Sequence, residues 1–380
     1  MRPEDVTKLR SEEPRDLWPE IERRLSLRSP RAHRARRRVP TVVAAAVVTV
    51  VFGLALLGLT RMLRQRPVLI GAGDIARISV PEPQPIVPGE GAIWVVGARS
   101  NGGELWRIDP ATNQAQPVPG TEGAWWPAAG EGAAWVTTCH PNDQTDCAEA
   151  DLLRIDPSSG AVTSSFRLPD PPTAIAAGLG SVWVSSNERL LKIDPRSMSL
   201  VGSFSIHTNL LGIADGHLWA TVEGSGVPGV AKIDPATGRI VAQVPFHDPC
   251  TFGASDQLVI VASCQGGRPY GTGPDRLAGI DPATAEVQFD VPLSSYGDLA
   301  FTDGHPWIAA WTDSPERVRV QQLDPSTGRP TDVSASVRPG PEPWMEIGFG
   351  APSVFIAVSR DSFWLTHVDA KDVVRVRIPK

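Results

Sequence analysis

The stretch LLRIDPSSG, residues 152–160, returns along the chain and decides the fold. Its close copies are LWRIDPATN, LLKIDPRSM, VAKIDPATG, LAGIDPATA and VQQLDPSTG, and a weaker copy, LTHVDAKDV, lies near the C-terminus. The repeated aspartates are Asp109, Asp156, Asp194, Asp234, Asp281, Asp324 and Asp369. Their mean spacing of about 43 residues is typical of propellers with four strands per blade and too long for the helical repeats of about 33–34 residues.

A second pattern keeps step with the first. Short apolar segments carry an aromatic or branched residue at one equivalent position: Trp94, Trp135, Trp183, Trp219, Val259, Trp307 and Phe355. In the third copy we assign strand a to PTAIAAG, strand b to SVWVSS, strand c to LLKID and strand d to SLVGSFSI. Seven such units with Gly, Pro and Asp at the turns predict an all-β, seven-bladed β-propeller whose tryptophans pack blade against blade.

The repeated aspartate is interpreted as a turn residue. Proline presets φ at the first corner of a turn, and an Asp side chain accepts a backbone N–H two residues further on. Asp-Pro followed by Ser, Thr or Gly therefore predicts that the aspartate stabilises the turn between strands c and d. A catalytic role is not favoured, because a catalytic group would not recur in every blade of the ring. Closure stays open: both GDIARISVPEP, residues 73–83, and the C-terminal DVVRVRIP resemble an outer strand d.

The N-terminal region predicts a single membrane span. Residues 39–60 contain no charged side chain, and about 20 apolar residues suffice for a helix to cross the bilayer. Arginine is more frequent before this segment than after it, which favours a cytoplasmic N-terminus. A cleaved signal peptide is the alternative, but the apolar run is longer than usual for one. We therefore predict a cytoplasmic basic tail (1–38), a transmembrane helix (39–60), a linker (61–73) and an extracytoplasmic propeller (74–380).

The cysteines indicate the compartment of the propeller, and the net charge bears on the kind of partner it binds. The spacing of the four cysteines predicts two hairpin disulfides, Cys139 with Cys147 and Cys250 with Cys264, which require an oxidising compartment. No Cys-x-x-Cys zinc spacing occurs. A net charge of −6 gives no basis for nucleic-acid binding.

Several unusual residues fall in connections that open on one face of a propeller. His207 and His247 precede the first strands of blades 4 and 5, and His140 lies in a loop of blade 2. Histidines can bind a metal or act as a base, although solvated loop histidines are the simpler interpretation. We predict no cofactor.

Other candidates on this ligand face are carboxylic, aromatic or basic. Asp298 and Glu346 share one register on neighbouring blades and could hold a cation or a proton, or be hydrogen-bonded structural groups. An aromatic rim suited to sugar, peptide or protein contact, or a set of channel plugs, is formed by Trp125, Trp126, Tyr296 and Trp344. Arg268 and Tyr270 lie in a long loop and could extend this rim.

The repeat IAAGLGSVWVSS…LLKIDP resembles that of the streptogramin (virginiamycin B) lyase-like and YVTN/NHL-type seven-bladed propellers, over roughly residues 74–380. This resemblance implies the fold, and for the lyase a magnesium-dependent opening of a cyclic peptide lactone by a His and Glu cluster. No Glu-x-His triplet occurs here. The segment DLWPEIERRL, followed by the apolar run and an outer domain, resembles actinobacterial membrane-bound anti-sigma proteins, without their His-x3-Cys-x2-Cys zinc motif.

Three functions follow as hypotheses. The first is a membrane-anchored, extracytoplasmic binding or sensing module for an envelope ligand or protein. The second is a metal-dependent envelope enzyme of the lyase type, in which His207 or His247 acts with a carboxylate. The third is a transmembrane signalling protein whose tail binds a cytoplasmic partner.

Overall fold

The computed structural model describes residues 75–97, 103–141, 147–186, 189–222, 228–263, 275–293, 297–302, 304–311, 318–337, 354–367 and 371–378. Within these ranges every regular element is a β-strand, and the strands form seven four-stranded antiparallel sheets. The predicted seven-bladed propeller is thus confirmed. The predicted membrane segment, residues 39–60, lies outside these ranges. The described part contains no helix with the length and apolar character that a membrane crossing requires.

Six blades each use one continuous stretch of chain, with strand a innermost and strand d outermost. The first strand of the chain is β1 (Ile75–Ser79). Blade 1 contains β2 (Pro83–Gly89), β3 (Ala92–Gly97), β4 (Glu104–Asp109) and β5 (Gln114–Pro117), and blade 2 contains β6 (Ala124–Gly130), β7 (Ala133–Pro141), β8 (Cys147–Ile155) and β9 (Val162–Leu168). Blade 3 contains β10 (Pro172–Gly178), β11 (Ser181–Ser186), β12 (Leu190–Asp194) and β13 (Ser199–Phe204). The strands of blade 3 match the sequence assignment, except that strand d ends two residues earlier.

The remaining blades follow the same order until the ring closes. Blade 4 contains β14 (Leu211–Ala214), β15 (His217–Val222), β16 (Gly229–Ile233) and β17 (Ile240–Pro245). Blade 5 contains β18 (Pro249–Ser255), β19 (Leu258–Ser263), β20 (Asp275–Ile280) and β21 (Val287–Leu293). Blade 6 contains β22 (Gly297–Thr302), β23 (His305–Trp311), β24 (Val318–Leu323) and β25 (Pro330–Val337). Blade 7 contains β26 (Val354–Ser359), β27 (Ser362–His367), β28 (Asp372–Arg377) and, as its outermost strand, β1.

Blade 7 resolves how the ring closes. β1 pairs with β28 in an antiparallel register that places Ala76 opposite Arg375 and Ile78 opposite Val373. The N-terminal candidate is therefore strand d of blade 7, whereas the C-terminal candidate is strand c. Because the first strand of the propeller completes its last sheet, neither is an additional outer strand.

The sequence alignment of the seventh repeat was wrong. Trp364 on β27, and not Phe355, takes the position of the other tryptophans, since it lies opposite Arg375 as Trp183 lies opposite Lys192. Phe355 belongs to the innermost strand, β26. Asp369 follows strand b and lies outside the described residues, so it does not join strand c to strand d. Blade 7 has no such hairpin because its strand d comes from the other end of the propeller.

The core lies between blades. The strand-b tryptophans are almost completely buried, and each buried cluster draws side chains from two neighbouring sheets. Trp94 of blade 1 packs with Ala134 and Val136 of blade 2, and Trp364 of blade 7 packs with Ile93 of blade 1. The predicted packing of tryptophans between blades is confirmed, and it continues across the closure. Truncation of one such tryptophan to alanine would cost about 3–5 kcal/mol.

Six aspartates close the hairpins between strands c and d, as predicted. At the fourth copy, one carboxylate oxygen of Asp234 accepts the backbone N–H groups of Ala236 and Thr237 at 2.7 and 3.0 Å. The N–H of Gly238 donates to the Asp234 carbonyl at 2.8 Å, with φ of +66° at this glycine. The N–H donors of Thr237 and Ala236 hold the pKa of Asp234 below its usual range, and hydrogen bonds act in the same direction at the other five corners.

A cation two residues before the repeated aspartate joins neighbouring blades. The Lys232 ammonium lies 5.9 Å from the centre of the Trp219 ring and donates to the carbonyls of Pro282 and Ala283, in the corner of the next blade, at 2.6 and 3.2 Å. We call such a contact a cation staple. Equivalent staples run from Arg107 to Pro157, from Lys192 to Pro235 and from Arg375 to Pro110. Charge-assisted hydrogen bonds of this kind contribute about 1.5–3 kcal/mol each.

Closure by β1 predicts the effect of a single buried side chain. Ile78 is buried among residues of blades 1 and 7, whereas its neighbour Arg77 is exposed. We expect Ile78→Ala to lower the free energy of unfolding of the full chain in detergent micelles by about 2–5 kcal/mol, because it leaves a cavity. Arg77→Ala is the matched control and should change it little. Equal effects of both substitutions in denaturant titration would contradict closure through β1.

The corner geometry predicts a stabilising substitution. Ala285, four residues after Asp281, has φ of +59°, where three other corners have glycine (Gly160, Gly238 and Gly328). A side chain in this region costs about 1–2 kcal/mol, partly offset by the greater freedom of unfolded glycine, so Ala285→Gly should stabilise the propeller by about 0.5–1 kcal/mol. Ala283→Gly, in the same corner at negative φ, should destabilise it. If calorimetry gives the same sign for both variants, this account of the corner is wrong.

Candidate ligand-binding face

The connectivity of the strands gives the propeller two distinct faces. In each blade the d–a and b–c connections open on one face, which we call the ligand face, and the a–b and c–d turns open on the other, the corner face. His207 follows β13, His247 follows β17, and His140 lies near the end of β7. His207 and His247 therefore lie in d–a connections, whereas His140 lies on strand β7 and not in the b–c loop where the sequence analysis put it.

The histidines do not form a cluster in the part of the chain that is described. His140 and His247 are exposed and His207 is half-buried. Among the described residues, no group of three or more His, Cys, Asp or Glu side chains is arranged to hold a metal ion. In the strand register, His140 lies opposite Glu149 on β8.

Blade 2 has the longest strands b and c among the described residues. Its strands β7 and β8 have nine residues each, whereas strands b and c of the other blades have five to seven. Cys139 and Cys147 form the predicted disulfide near the tip, with their Cα atoms 5.4 Å apart. We call this disulfide-closed ribbon the blade 2 hairpin. Cys250 is also disulfide-bonded, while Cys264, its predicted partner, lies outside the described residues.

A charged group on the neighbouring strand was missed by the sequence analysis. Arg167 on β9 lies 2.9 Å from the Glu149 carboxylate and 3.0 Å from the Asp151 carboxylate, both on β8. The hydrogen bond from Arg167 lowers the pKa of Glu149, and Glu149 in turn raises the pKa of Arg167. The sequence analysis did not pair these groups, because the arginine lies more than fifteen residues further along the chain. Both carboxylates are thus paired with one arginine, which leaves this cluster with a single net negative charge.

The two tryptophans of blade 2 lie at a β-bulge. The register between β6 and β7 shifts between Ala124 and Pro127, so that Trp125 and Trp126 occupy the irregular step. The N–H of Trp126 donates to the Thr137 hydroxyl at 3.2 Å. Trp125 is 45% exposed, an unusual exposure for an aromatic side chain on an innermost strand. β-Bulges often redirect side chains next to functional sites, and here the bulge leaves an indole accessible on the ligand face.

Asp298 differs from the other candidates because its carboxylate is engaged. One oxygen accepts the Thr251 hydroxyl of blade 5 at 3.1 Å, and the other accepts the N–H of Ile356 of blade 7 at 2.9 Å. Part of the Asp298 surface is accessible to solvent, but its carboxyl group is surrounded by protein. The resulting desolvation raises the pKa of this carboxyl to about 6 despite the hydrogen-bond donors. The hydrogen-bonded structural alternative thus describes Asp298.

The predicted pairing of Asp298 with Glu346 was in the wrong register. The position in blade 7 that corresponds to Asp298, nine residues before the strand-b tryptophan, is Phe355. Trp344 and Glu346 precede β26 in the sequence. They fall outside the described residues together with Arg268, Tyr270 and Tyr296, and their roles stay predictions.

Comparison with solved structures identifies the same architecture. The chain is similar to the WD40 domain of Neurospora crassa Pan2, at 12% identity and a TM-score of 0.57, over 83% of this chain and 98% of that domain. It is similar to the β-propeller domain of Myceliophteria thermophila Cps50 (Swd1), at 9% identity and a TM-score of 0.58, over 80% and 99%. BamB from Moraxella catarrhalis gives 15% identity and a TM-score of 0.48 over 78% and 82%.

No family model matches the chain, and no curated protein sequence matches it. At the identities of the structural matches, similarity shows the fold alone. The chain is a seven-bladed β-propeller, a fold that commonly mediates protein binding.

Proposed function

We propose that the protein is a membrane-anchored, extracytoplasmic binding module that holds an extended peptide segment of an envelope protein on the ligand face of blade 2. The observation that carries this proposal is Trp125, an indole left exposed by a β-bulge on an innermost strand and bordered by the blade 2 hairpin. Tryptophan is enriched among the residues that dominate binding energy at protein interfaces.

The surroundings of Trp125 support a peptide over a small ion. The indole offers a flat apolar contact, and elsewhere in blade 2 Glu149 of the hairpin and Arg167 of β9 offer polar groups that are already paired with each other. A preorganised surface of this kind orders few side chains on binding and so keeps more of the interaction energy. The disulfide between Cys139 and Cys147 fixes the hairpin that carries Glu149.

The proposed extracytoplasmic location of the propeller is supported by the sequence and by one disulfide bond. The uncharged segment of residues 39–60, with arginine concentrated on its N-terminal side, supports a single span with the propeller outside. The disulfide between Cys139 and Cys147 supports an oxidising compartment for the propeller.

A selected peptide tests both the face and the location. Peptides would be selected from a random library against the full chain in nanodiscs, labelled with a membrane-impermeant dye, and added to intact spheroplasts that express the chain. We expect binding to intact spheroplasts and a loss of about 30-fold in affinity for Trp125→Ala, since interface tryptophans contribute 2 kcal/mol or more.

The matched control is Leu200→Ala, which removes another exposed apolar side chain from the outermost strand of blade 3. Affinity that falls equally in both variants, or in neither, would contradict the proposed face. Binding that appears only after the spheroplasts are permeabilised would contradict the proposed location.

A further inference from the structure

The joints between neighbouring blades are not all held in the same way. Cation staples cross the joints between blades 1 and 2, 3 and 4, 4 and 5, and 7 and 1. In blade 2, Arg154 occupies the equivalent position and lies 5.9 Å from the Trp135 ring centre. In blades 5 and 6 this position is Gly279 and Gln322. The two consecutive joints from blade 5 to blade 7 therefore have no cation at the position of the staple.

Asp298 spans these same two joints from the inside. Its strand, β22, is the innermost strand of blade 6 and contacts β18 of blade 5 and β26 of blade 7. The carboxylate accepts a hydrogen bond from Thr251 on one side and from Ile356 on the other. One side chain thus links three blades where the outer staples are missing.

We propose that Asp298 is a pH-sensitive clasp that holds the innermost strands of blades 5, 6 and 7 together. The clasp is tightest when the carboxyl is protonated and loosens when it ionises. This inference concerns the stability of one sector of the ring and is independent of the proposed ligand.

The surroundings explain why ionisation weakens the clasp. The strands packed against Asp298 bring few charges: β18 contains only the disulfide-bonded Cys250, β26 contains no ionisable side chain, and β23 contains His305, which lies at its far end opposite Thr302. No cation compensates the carboxylate in this group of strands. Desolvation is the largest influence on the Asp298 pKa, and the hydrogen bonds from Ile356, Leu299 and Thr251 offset it only in part.

Both protonation states fit the same contacts. The ionised carboxylate accepts from the Thr251 hydroxyl and the Ile356 N–H. After protonation, the oxygen near Thr251 can donate to the hydroxyl oxygen while the other oxygen still accepts from Ile356, since a hydroxyl both donates and accepts. Protonation therefore removes the cost of a buried charge without breaking the link.

The sign of the pH dependence follows from the raised pKa of Asp298. An opened sector exposes the carboxyl to water and restores its ordinary, lower pKa, so the open state binds fewer protons near neutral pH. Opening is then favoured as the pH rises through about 6. The corner aspartates, whose pKa values are lowered, titrate well below this range.

Hydrogen exchange on the full chain in nanodiscs tests the clasp. After correction for the intrinsic exchange rates, we expect the opening equilibrium of the amides in β18, β22 and β26 to rise about tenfold between pH 5 and pH 8, with a midpoint near pH 6. The amides of blades 1 to 3 provide the internal reference and should show no such step.

Three variants separate the clasp from a general effect of pH. Asp298→Asn should remove the step, and Asp290→Asn, which changes an exposed carboxylate of the same sector paired with Arg276, should leave it unchanged. Thr251→Val removes one donor to the ionised carboxylate and should move the midpoint upward, which keeps the test valid if Asp298→Asn folds poorly. A step that persists in Asp298→Asn, a midpoint that Thr251→Val does not move, or no step in the natural chain would overturn the proposal.

Discussion

The structure depends on the burial of wedge-shaped sheets against one another around a ring. Every large apolar cluster is shared by two neighbouring blades, so a single sheet has no core of its own. Burial of apolar surface stabilises a protein by about 25 cal/mol per Å². If the blades formed an open row, the outward apolar faces of the first and last blades would stay in water. Closure removes both faces. Because the repeat starts within the last blade, the N-terminal strand β1 must complete that sheet, and the buried Ile78 is the side chain that fixes it there.

Hydrogen bonds then fix the angle between neighbouring blades. On the corner face, each aspartate turns its own hairpin, and in four of the joints a lysine or arginine reaches the carbonyl that follows the next aspartate. The Asp-Pro motif thus has a second role beyond the turn: it presents a carbonyl oxygen to the neighbouring blade. In the sector of blades 5 to 7 the link moves to the innermost strands, where Asp298 replaces the outer cations.

Much of the fold could be predicted from the sequence, and the failures have physical causes. The strands of blade 3 were assigned correctly because each strand is separated from the next by a strong turn signal. Blade 7 was misaligned because its strands a and b both show an aromatic residue within a short apolar run, Phe355 and Trp364. The fourth strand of this blade is β1 and not a strand that follows β28, so blade 7 has no c–d hairpin and the Asp-Pro signal that set the register elsewhere is missing.

The candidate site was predicted less completely. The exposed Trp125 and the disulfide of the blade 2 hairpin were visible in the sequence, since both depend on residues that are close along the chain. The pairing of Arg167 with Glu149 and Asp151, and the bridge from Asp298 to Thr251 and Ile356, were not visible. They depend on the lateral register of strands and on contacts between blades, which a single sequence does not encode locally. The staples were detectable in principle, since a basic residue stands two positions before most of the repeated aspartates.

Ring closure can be tested most directly by a cross-link between the two ends of the propeller. Ser79 on β1 and Asp372 on β28 are register partners, and opposed residues of antiparallel strands lie about 4.5–5.5 Å apart, within the range that a disulfide spans. Oxidation of the Ser79→Cys, Asp372→Cys chain should give a new disulfide on peptide mapping, whereas Ser79→Cys with Asp332→Cys, on the outermost strand of blade 6, should not. No cross-link in the first chain, or equal cross-linking in both, would contradict a closed ring.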